Sequence, residues 1–367
     1  MYEWIRRMRS RLIWLAESLH HWLIVWILVA YALAAFLPTA GLQLRNIHLG
    51  SLSIFGETTL VSMPSLMLAA LLFNAGLGVQ LKRMRGMLQT SRMLLIGLLA
   101  NLLIPLLFIL GMSQTLRLWH NPIEVQSILV GLALIASMPI AGSSTAWSQN
   151  ANGDLMLSLG LVVTSTMLSP ITTPVVLHAV GWVAEGEYAT CLHQLAANGT
   201  SVFLLLFVML PSLMGMLTAA IVNEGWLTRI KPSLKRINGV NLLVLCYANA
   251  AVALPQTIAN PDWDFLGILL LIVVGLCVAG FVAGWWIAHR CRSDAGQRVA
   301  LMFGLGMNNN GTGLVLATTA LAHLPQVMLP VIGYNLVQHL IAGLAERLLP
   351  KAIPLKEAES SCRSPRA

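Results

Sequence analysis

The run Gly304-Leu305-Gly306-Met307-Asn308-Asn309-Asn310-Gly311-Thr312-Gly313 lies in the middle of an apolar segment, residues 299–322, long enough to cross a bilayer. Three consecutive carboxamides and four glycines do not suit a helix that merely spans. An unpaired polar group in hydrocarbon costs several kcal/mol, so such backbone persists only where protein covers it or a wet cavity receives it. Gly and Asn both tolerate positive φ and let a helix unwind. The run therefore reads as a broken membrane helix whose break is a binding site. A second run, Ser137-Met138-Pro139-Ile140-Ala141-Gly142-Ser143-Ser144-Thr145, interrupts the apolar segment 125–149. Unwound carbonyls there, with the Ser144 and Thr145 hydroxyls, offer the neutral oxygens that a small hard cation such as sodium accepts. The plainer reading is a proline kink among small residues packed on a neighbouring helix.

Three further positions belong to the same chemistry. Ser158 stands one turn beyond the Asn152-Gly153-Asp154 turn and so near the first interruption. Asn101 lies four residues before Pro105, where its amide either satisfies the carbonyl that the proline frees or faces a site. His339 is a lone imidazole in an apolar run, by default a hydrogen-bonded structural residue and otherwise a substrate contact. Most of the other Ser and Thr residues of segment 155–180 are expected to bond back to their own helix. Tyr247 and Asn249 bridge helices or line a cavity.

Ten apolar spans must position these groups, at about 22–38, 60–80, 92–112, 125–149, 155–180, 201–222, 240–255, 264–288, 299–322 and 326–347. Residues AVILMFWYC make up 57% of the 367 residues and only 10% are charged, which excludes an ordinary soluble domain. Residues 1–21 form an amphipathic cytoplasmic segment, with Ile5, Met8, Leu12, Leu15 and Leu19 on one face of a helix at the membrane surface. With the N-terminus inside, every Lys and Arg except Arg45 and Arg117 falls in a cytoplasmic link or terminus. That alternation predicts a multi-pass inner-membrane protein with both termini cytoplasmic, the C-terminal tail being residues 348–367. The same placement sets aside nucleic acid as the partner of the net charge of +8.

Ten spans divide into two five-helix repeats, residues 22–180 and 200–347, and an odd number per repeat inverts the second. Span 9 is then the counterpart of span 4, so the two interrupted runs occupy equivalent places. That correspondence points to a site at the membrane midplane. All fourteen acidic residues fall in links, termini or span ends, which disfavours a proton relay built on Asp or Glu. No GxSxG, Walker A or HExxH motif is present, and no enzyme is expected. The five cysteines show neither CxxC nor Cys/His spacing, so neither a disulfide framework nor a zinc site is expected.

Residues Ser137 through Pro174 resemble the fourth and fifth helices of bile acid:sodium symporters. Gly306-Met307-Asn308-Asn309-Asn310-Gly311 is similar to that family's ninth-helix motif Gly-Met-Gln-Asn-Ser-Gly, and Gln338–Gly343 to its His-Asn-x-x-Gly ending. The resemblance implies an all-α membrane protein of ten transmembrane helices in two inverted repeats. A panel domain (spans 1, 2, 6 and 7) would face a core domain (spans 3–5 and 8–10) in which broken helices 4 and 9 cross. It implies a secondary transporter that couples sodium entry to movement of a small organic anion by alternating access, with membrane lipid around it and no resident cofactor. Carried over by position, Ser144, Thr145 and Ser158 match ligands of one sodium site, and Asn101, Met307 and Asn308 match those of a second. Asn309 and His339 match residues that face the anion, with Asn310 beside them. Val162 and Leu340 replace a threonine and an asparagine of the family. Gly304 stands where the family has a glutamate that serves both sodium sites. Losing that charge costs a cation several kcal/mol on a rough Coulomb estimate. The alternatives are a non-transporting membrane sensor on the same scaffold and arsenite efflux by a related fold. The second wants a thiolate near the span 4 break, and no cysteine precedes residue 191.

Overall fold

A computed structural model describes residues 23–54, 56–79 and 91–349. The amphipathic N-terminal segment, basic residues Lys82, Arg83 and Arg85, and the tail from residue 350 lie outside the described residues.

The chain begins with α1 (Leu23–Phe36), and Pro38 then opens α2 (Thr39–Arg45), which leaves the axis of α1 by 95°. A hairpin follows, β1 (His48–Ile54) antiparallel to β2 (Glu57–Ser62). The chain is otherwise mostly helical, consistent with an all-α membrane protein, and the hairpin removes residues 60–62 from the second span. The segment Glu57-Thr58-Thr59-Leu60-Val61 carries β-branched residues suited to a strand, and helix α3 (Met63–Leu77) starts only at a capping box formed by Ser62 and Ser65.

α4 (Ser91–Leu116) leads to α5 (Pro122–Ser137), capped by Asn121 and opened by Pro122. After a break come α6 (Ser143–Asn150) and α7 (Leu155–Gly181), the latter capped by Asp154. Two prolines sit inside α7, and both freed carbonyls are repaired. The Ser169 hydroxyl donates to the Thr166 carbonyl at 2.8 Å, and the Ser201 hydroxyl donates to the Pro170 carbonyl at 2.9 Å.

A short helix α8 (Gly186–Ala197) joins α7 to α9 (Thr200–Leu204), which passes through a π-helical turn, Leu205–Met209, into α10 (Leu210–Ile221). α11 (Glu224–Ala250) is longer than the span read from sequence. It carries Arg229, Lys235 and Arg236 on its first half, a region read as a link. α12 (Leu254–Ala259), α13 (Trp263–Arg290) and α14 (Ala295–Gly306) follow. After a second break the chain ends with α15 (Asn310–Ala320), a 3-10 turn (Pro325–Met328) and α16 (Leu329–Leu348).

Among the described residues, five helical stretches are long and apolar enough to cross a membrane: 92–116, 155–181, 200–221, 263–290 and 325–348. α3 and α5 are shorter apolar helices. α4 presents Leu95, Leu99, Leu103, Leu107 and Leu110 outward along its length, an apolar stripe that only lipid or protein can cover. The helices pack in two sets. α3 lies against α10 and α11, and α11 against α1. α13, α14, α16, α4, α5 and α7 pack among themselves.

The segments around the breaks are the most enclosed. α5 buries every residue from Ser127 to Ser137, and α14 every residue from Val299 to Gly306. α14 lies close on α13, because a Cβ on Gly280 would come within 2.4 Å of the Leu305 carbonyl oxygen and one on Gly284 within 2.5 Å of that of Leu301. Links meet at each end of α7, which at about 1.5 Å per residue is ~40 Å long. Asp154 N–H donates to the Gly296 carbonyl at one end, while Glu185 N–H donates to Gln126 Oε1 at the other.

Candidate functional site

The two breaks meet. Residues 138–142 and 307–309 run antiparallel, with Ile140 bridged to Asn308. Ala141 N–H donates to the Met307 carbonyl at 2.9 Å, and Asn309 N–H donates to the Pro139 carbonyl at 2.9 Å. Two more backbone donors are satisfied by side chains. Ser165 Oγ on α7 accepts from Ile140 N–H at 3.1 Å, and Gln338 Oε1 on α16 accepts from Asn308 N–H at 3.0 Å. The Gly306 carbonyl, at the end of α14, takes the Tyr334 hydroxyl at 3.2 Å. Two helices thus end at the crossing, α5 and α14, and two begin there, α6 and α15. The dipoles of α6 and α15 bring the partial positive charge of two helix N-termini to one buried spot.

Backbone pairing leaves side chains over. Ser144 Oγ, Asn308 Oδ1, Thr312 Oγ1 and both amide atoms of Asn310 are buried without a hydrogen-bond partner. An orphaned polar atom in a protein interior costs about 1–3 kcal/mol. Their concentration at one crossing, on residues no more than 2% exposed, makes this the candidate ligand site of the fold. The donor set is neutral and mostly oxygen, which fits a hard monovalent cation. Among the described side chains Glu124 is the one buried carboxylate, and Trp119 Nε1 and Asn121 Nδ2 donate to it near the start of α5.

The residues singled out from sequence are placed as follows. Ser158 Oγ donates to Thr145 Oγ1 at 3.2 Å, so these two form a pair across the α6–α7 turn, with Asn152 in the left-handed region at φ 58° to make that turn. Ser144, buried, lies beside Thr145 on the first turn of α6. Met307 is buried and its carbonyl already receives Ala141 N–H. Asn309 uses Oδ1 to cap α15 through Thr312 N–H. His339 on α16 is 5% exposed and its Nδ1 has no partner. Asn101 Oδ1 is also unpaired, but the cavity it lines, about 170 Å³, is walled by α4, α5, the first break and α7, with no residue of the second break. Tyr247 ties helices together, its hydroxyl donating to the Leu37 carbonyl and accepting from Gly41 N–H at 3.1 Å.

Several participants escaped the sequence reading. Gln338 and Ser165 hold the breaks open by taking backbone donors. Leu161 lies between two glycines: a Cβ on Gly304 would come within 3.1 Å of its Cδ1, and one on Gly97 within 2.7 Å of its Cδ2. The flank of the crossing at Gly304 is thus apolar, with Leu157, Leu161, Ala300 and Leu301 in one buried cluster. Arg45 at the end of α2 donates to the Thr318 carbonyl on α15, and the Thr318 hydroxyl lies 3.2 Å from Asn249 Oδ1 on α11. Arg45 has no carboxylate partner among the described residues. With Asn46, His48, Ser62 and Thr319 it lines a small cavity where the hairpin meets α15.

Comparison with known proteins agrees with this architecture. The model of the Sodium Bile acid symporter family matches residues 65–260, just over half the chain. A Bacillus subtilis protein, the uncharacterized sodium-dependent transporter YocS, is 24% identical over 309 residues, covering 83% of this chain and 88% of its own length. A second, the uncharacterized protein YbaS of the same organism, is 26% identical over 216 residues, 59% of this chain and 67% of its own length.

Proposed function

The chain belongs to the sodium bile acid symporter family, and from that premise we propose that it is a secondary transporter moving a small organic anion by alternating access, with sodium as the coupling ion. The observation that carries the reading is the set of unpartnered buried oxygens at the crossing: Ser144 Oγ, Asn308 Oδ1, Asn310 Oδ1 and Thr312 Oγ1. In this reading Ser144, Thr145, Ser158 and Asn308 hold sodium through neutral oxygens. Asn309, Asn310 and His339 face the anion, helped by the N-termini of α6 and α15. A transporter family points to transport rather than catalysis.

The remaining architecture follows as part of the proposal. The ten spans form two inverted repeats, the helices around α3, α10 and α11 act as a panel, and the set containing both breaks acts as a core. A cleft of about 370 Å³ between α12 and the starts of α13 and α16, lined by Gln256, Asn260, Asp262 and Gln326, supports access from that end. The basic links support an inner-membrane orientation with both termini cytoplasmic. Sodium coupling through neutral oxygens alone is weaker than with a carboxylate in place, and the apolar packing of Leu161 at Gly304 supports that expectation.

Two measurements test the proposal. Sodium should raise the melting temperature of the purified protein relative to equimolar potassium, since saturation a hundredfold above Kd is worth about 2.7 kcal/mol. Ser144→Ala and Asn308→Ala should each remove most of that difference. In proteoliposomes, a labelled bile acid used as the probe anion should accumulate under an inward sodium gradient. Equal melting in both salts, with uptake indifferent to sodium, rejects coupling. Binding without accumulation under any ion gradient favours a sensor.

A further inference from the structure

α8 lies apart from the crossing and brings together a different set of donors. Glu187 and Cys191 stand at i and i+4 and share one face of this helix. His323, in the link between α15 and the 3-10 turn, comes to the same face, with Nε2 3.9 Å from Cys191 Sγ. One ligand atom from each of Glu187, Cys191 and His323 lies within 4.8 Å of the other two. Sulfur and nitrogen donors on a tetrahedral zinc, at about 2.3 and 2.0 Å from the metal, lie about 3.5 Å from each other. Small side-chain rotations close that difference.

The backbone that carries these residues is docked without any ion. Ser127 on α5 lies 3.4 Å from the Tyr188 hydroxyl and 3.4 Å from Gln326 Oε1, so one side chain reaches both α8 and the 3-10 turn. Glu185 N–H is held by Gln126 Oε1 at 3.0 Å. Glu187 and His323 are exposed and Cys191 is half-buried, so an ion can enter from solvent.

We propose that Glu187, Cys191 and His323 form a binding site for a borderline divalent transition metal, zinc by the donor set, that staples α8 to the end of the second broken helix. A thiolate with an imidazole selects zinc-class ions over magnesium or calcium, whose preferred ligands are oxygens. Three protein ligands leave a fourth position for water, and binding releases the Cys191 thiol proton to solvent. Cys191 and His323 are 132 positions apart, so no short Cys/His spacing announces the site in the sequence.

The test uses the full chain in detergent micelles, stripped of metal and titrated with zinc chloride by calorimetry, with thermal unfolding alongside. One zinc per chain is expected, with a rise in melting temperature that magnesium does not reproduce. Loss of outer-sphere partners alone costs metal sites about 10–100-fold in affinity, so Cys191→Ser and His323→Gln should each weaken zinc binding by at least about tenfold. Cobalt as a spectroscopic probe should give a thiolate-to-metal charge-transfer band that Cys191→Ser abolishes. Either variant failing to fold without metal would be replaced by Glu187→Gln, expected to weaken zinc binding in the same direction. Zinc affinity unchanged in the variants, a cobalt spectrum indifferent to Cys191, or an equal response to magnesium would overturn the proposal.

Discussion

Asn308 concentrates the logic of the crossing in one residue. Its N–H is spoken for by Gln338 at 3.0 Å, its backbone pairs with Ile140, and its amide oxygen is left buried and alone. The backbone contacts keep the side chain in place, and the side chain is what remains for a ligand. Gln338 is therefore a positioning residue. Gln338→Met, close in size but without the acceptor, strands a buried N–H and should destabilise the protein by about 1–3 kcal/mol. Thermal unfolding checks this, and the sodium response should fall with it because Asn308 loses its anchor. The pair Thr145–Ser158 makes a complementary case, since the bond at 3.2 Å already consumes part of their oxygen capacity in the apo chain. Thr145→Val should cost about 0.5–1.5 kcal/mol without sodium and reduce the sodium-dependent stabilisation, measured by melting in sodium against potassium.

Among the elements, α14 is held from two sides. α13 meets it backbone to backbone at Gly280 and Gly284, and α7 presses Leu161 against Gly304 from the other side. A glutamate at position 304 would restore the charge that the family places there, yet its Cβ alone would stand 3.1 Å from Leu161 Cδ1. Gly304→Glu by itself should therefore lower stability by about 1–3 kcal/mol through overpacking, and more if the carboxylate finds no cation. Pairing it with Leu161→Ala opens space for the new side chain. The double variant should show a larger sodium-dependent rise in melting temperature than the wild type. A double variant that responds to sodium no better than the wild type would show that the missing carboxylate is not what limits cation binding.

Across the whole molecule, Arg45 and Arg117 are the two cations that the charge pattern leaves over. Arg45 folds back from α2 onto the Thr318 carbonyl of α15. Thr318 in turn reaches Asn249 of α11, so Arg45 sits where the hairpin, α11 and the second broken helix come together. Under the proposed transport of an anion, a half-buried guanidinium with no carboxylate partner among the described residues would attract that anion to the cavity it lines. Arg45→Gln should raise KM for the anion by about tenfold, or ~1.4 kcal/mol, with a smaller effect on the maximal rate. Uptake kinetics in proteoliposomes measure it, and an unchanged KM would assign Arg45 to structure alone.

Local chemistry made much of this visible from the residues. Carboxamides and glycines inside an apolar run and a second Pro/Gly interruption in a separate span are properties of short stretches, readable because each is enforced within a few residues. The hairpin at 48–62 was hidden because Leu60, Val61 and Ser62 suit either a strand or the start of an apolar helix, and only pairing with β1 decided between them. The partners of the breaks could not be read at all. Gln338, Ser165 and Leu161 acquire their roles from helices brought together by tertiary packing, and His323 meets Cys191 only because α8 and the α15 link dock on α5. Sequence determined that polar backbone would interrupt two apolar segments. The tertiary structure decided that the interruptions satisfy each other's backbone groups, which frees the side-chain oxygens for a ligand and leaves Gly304 against leucine.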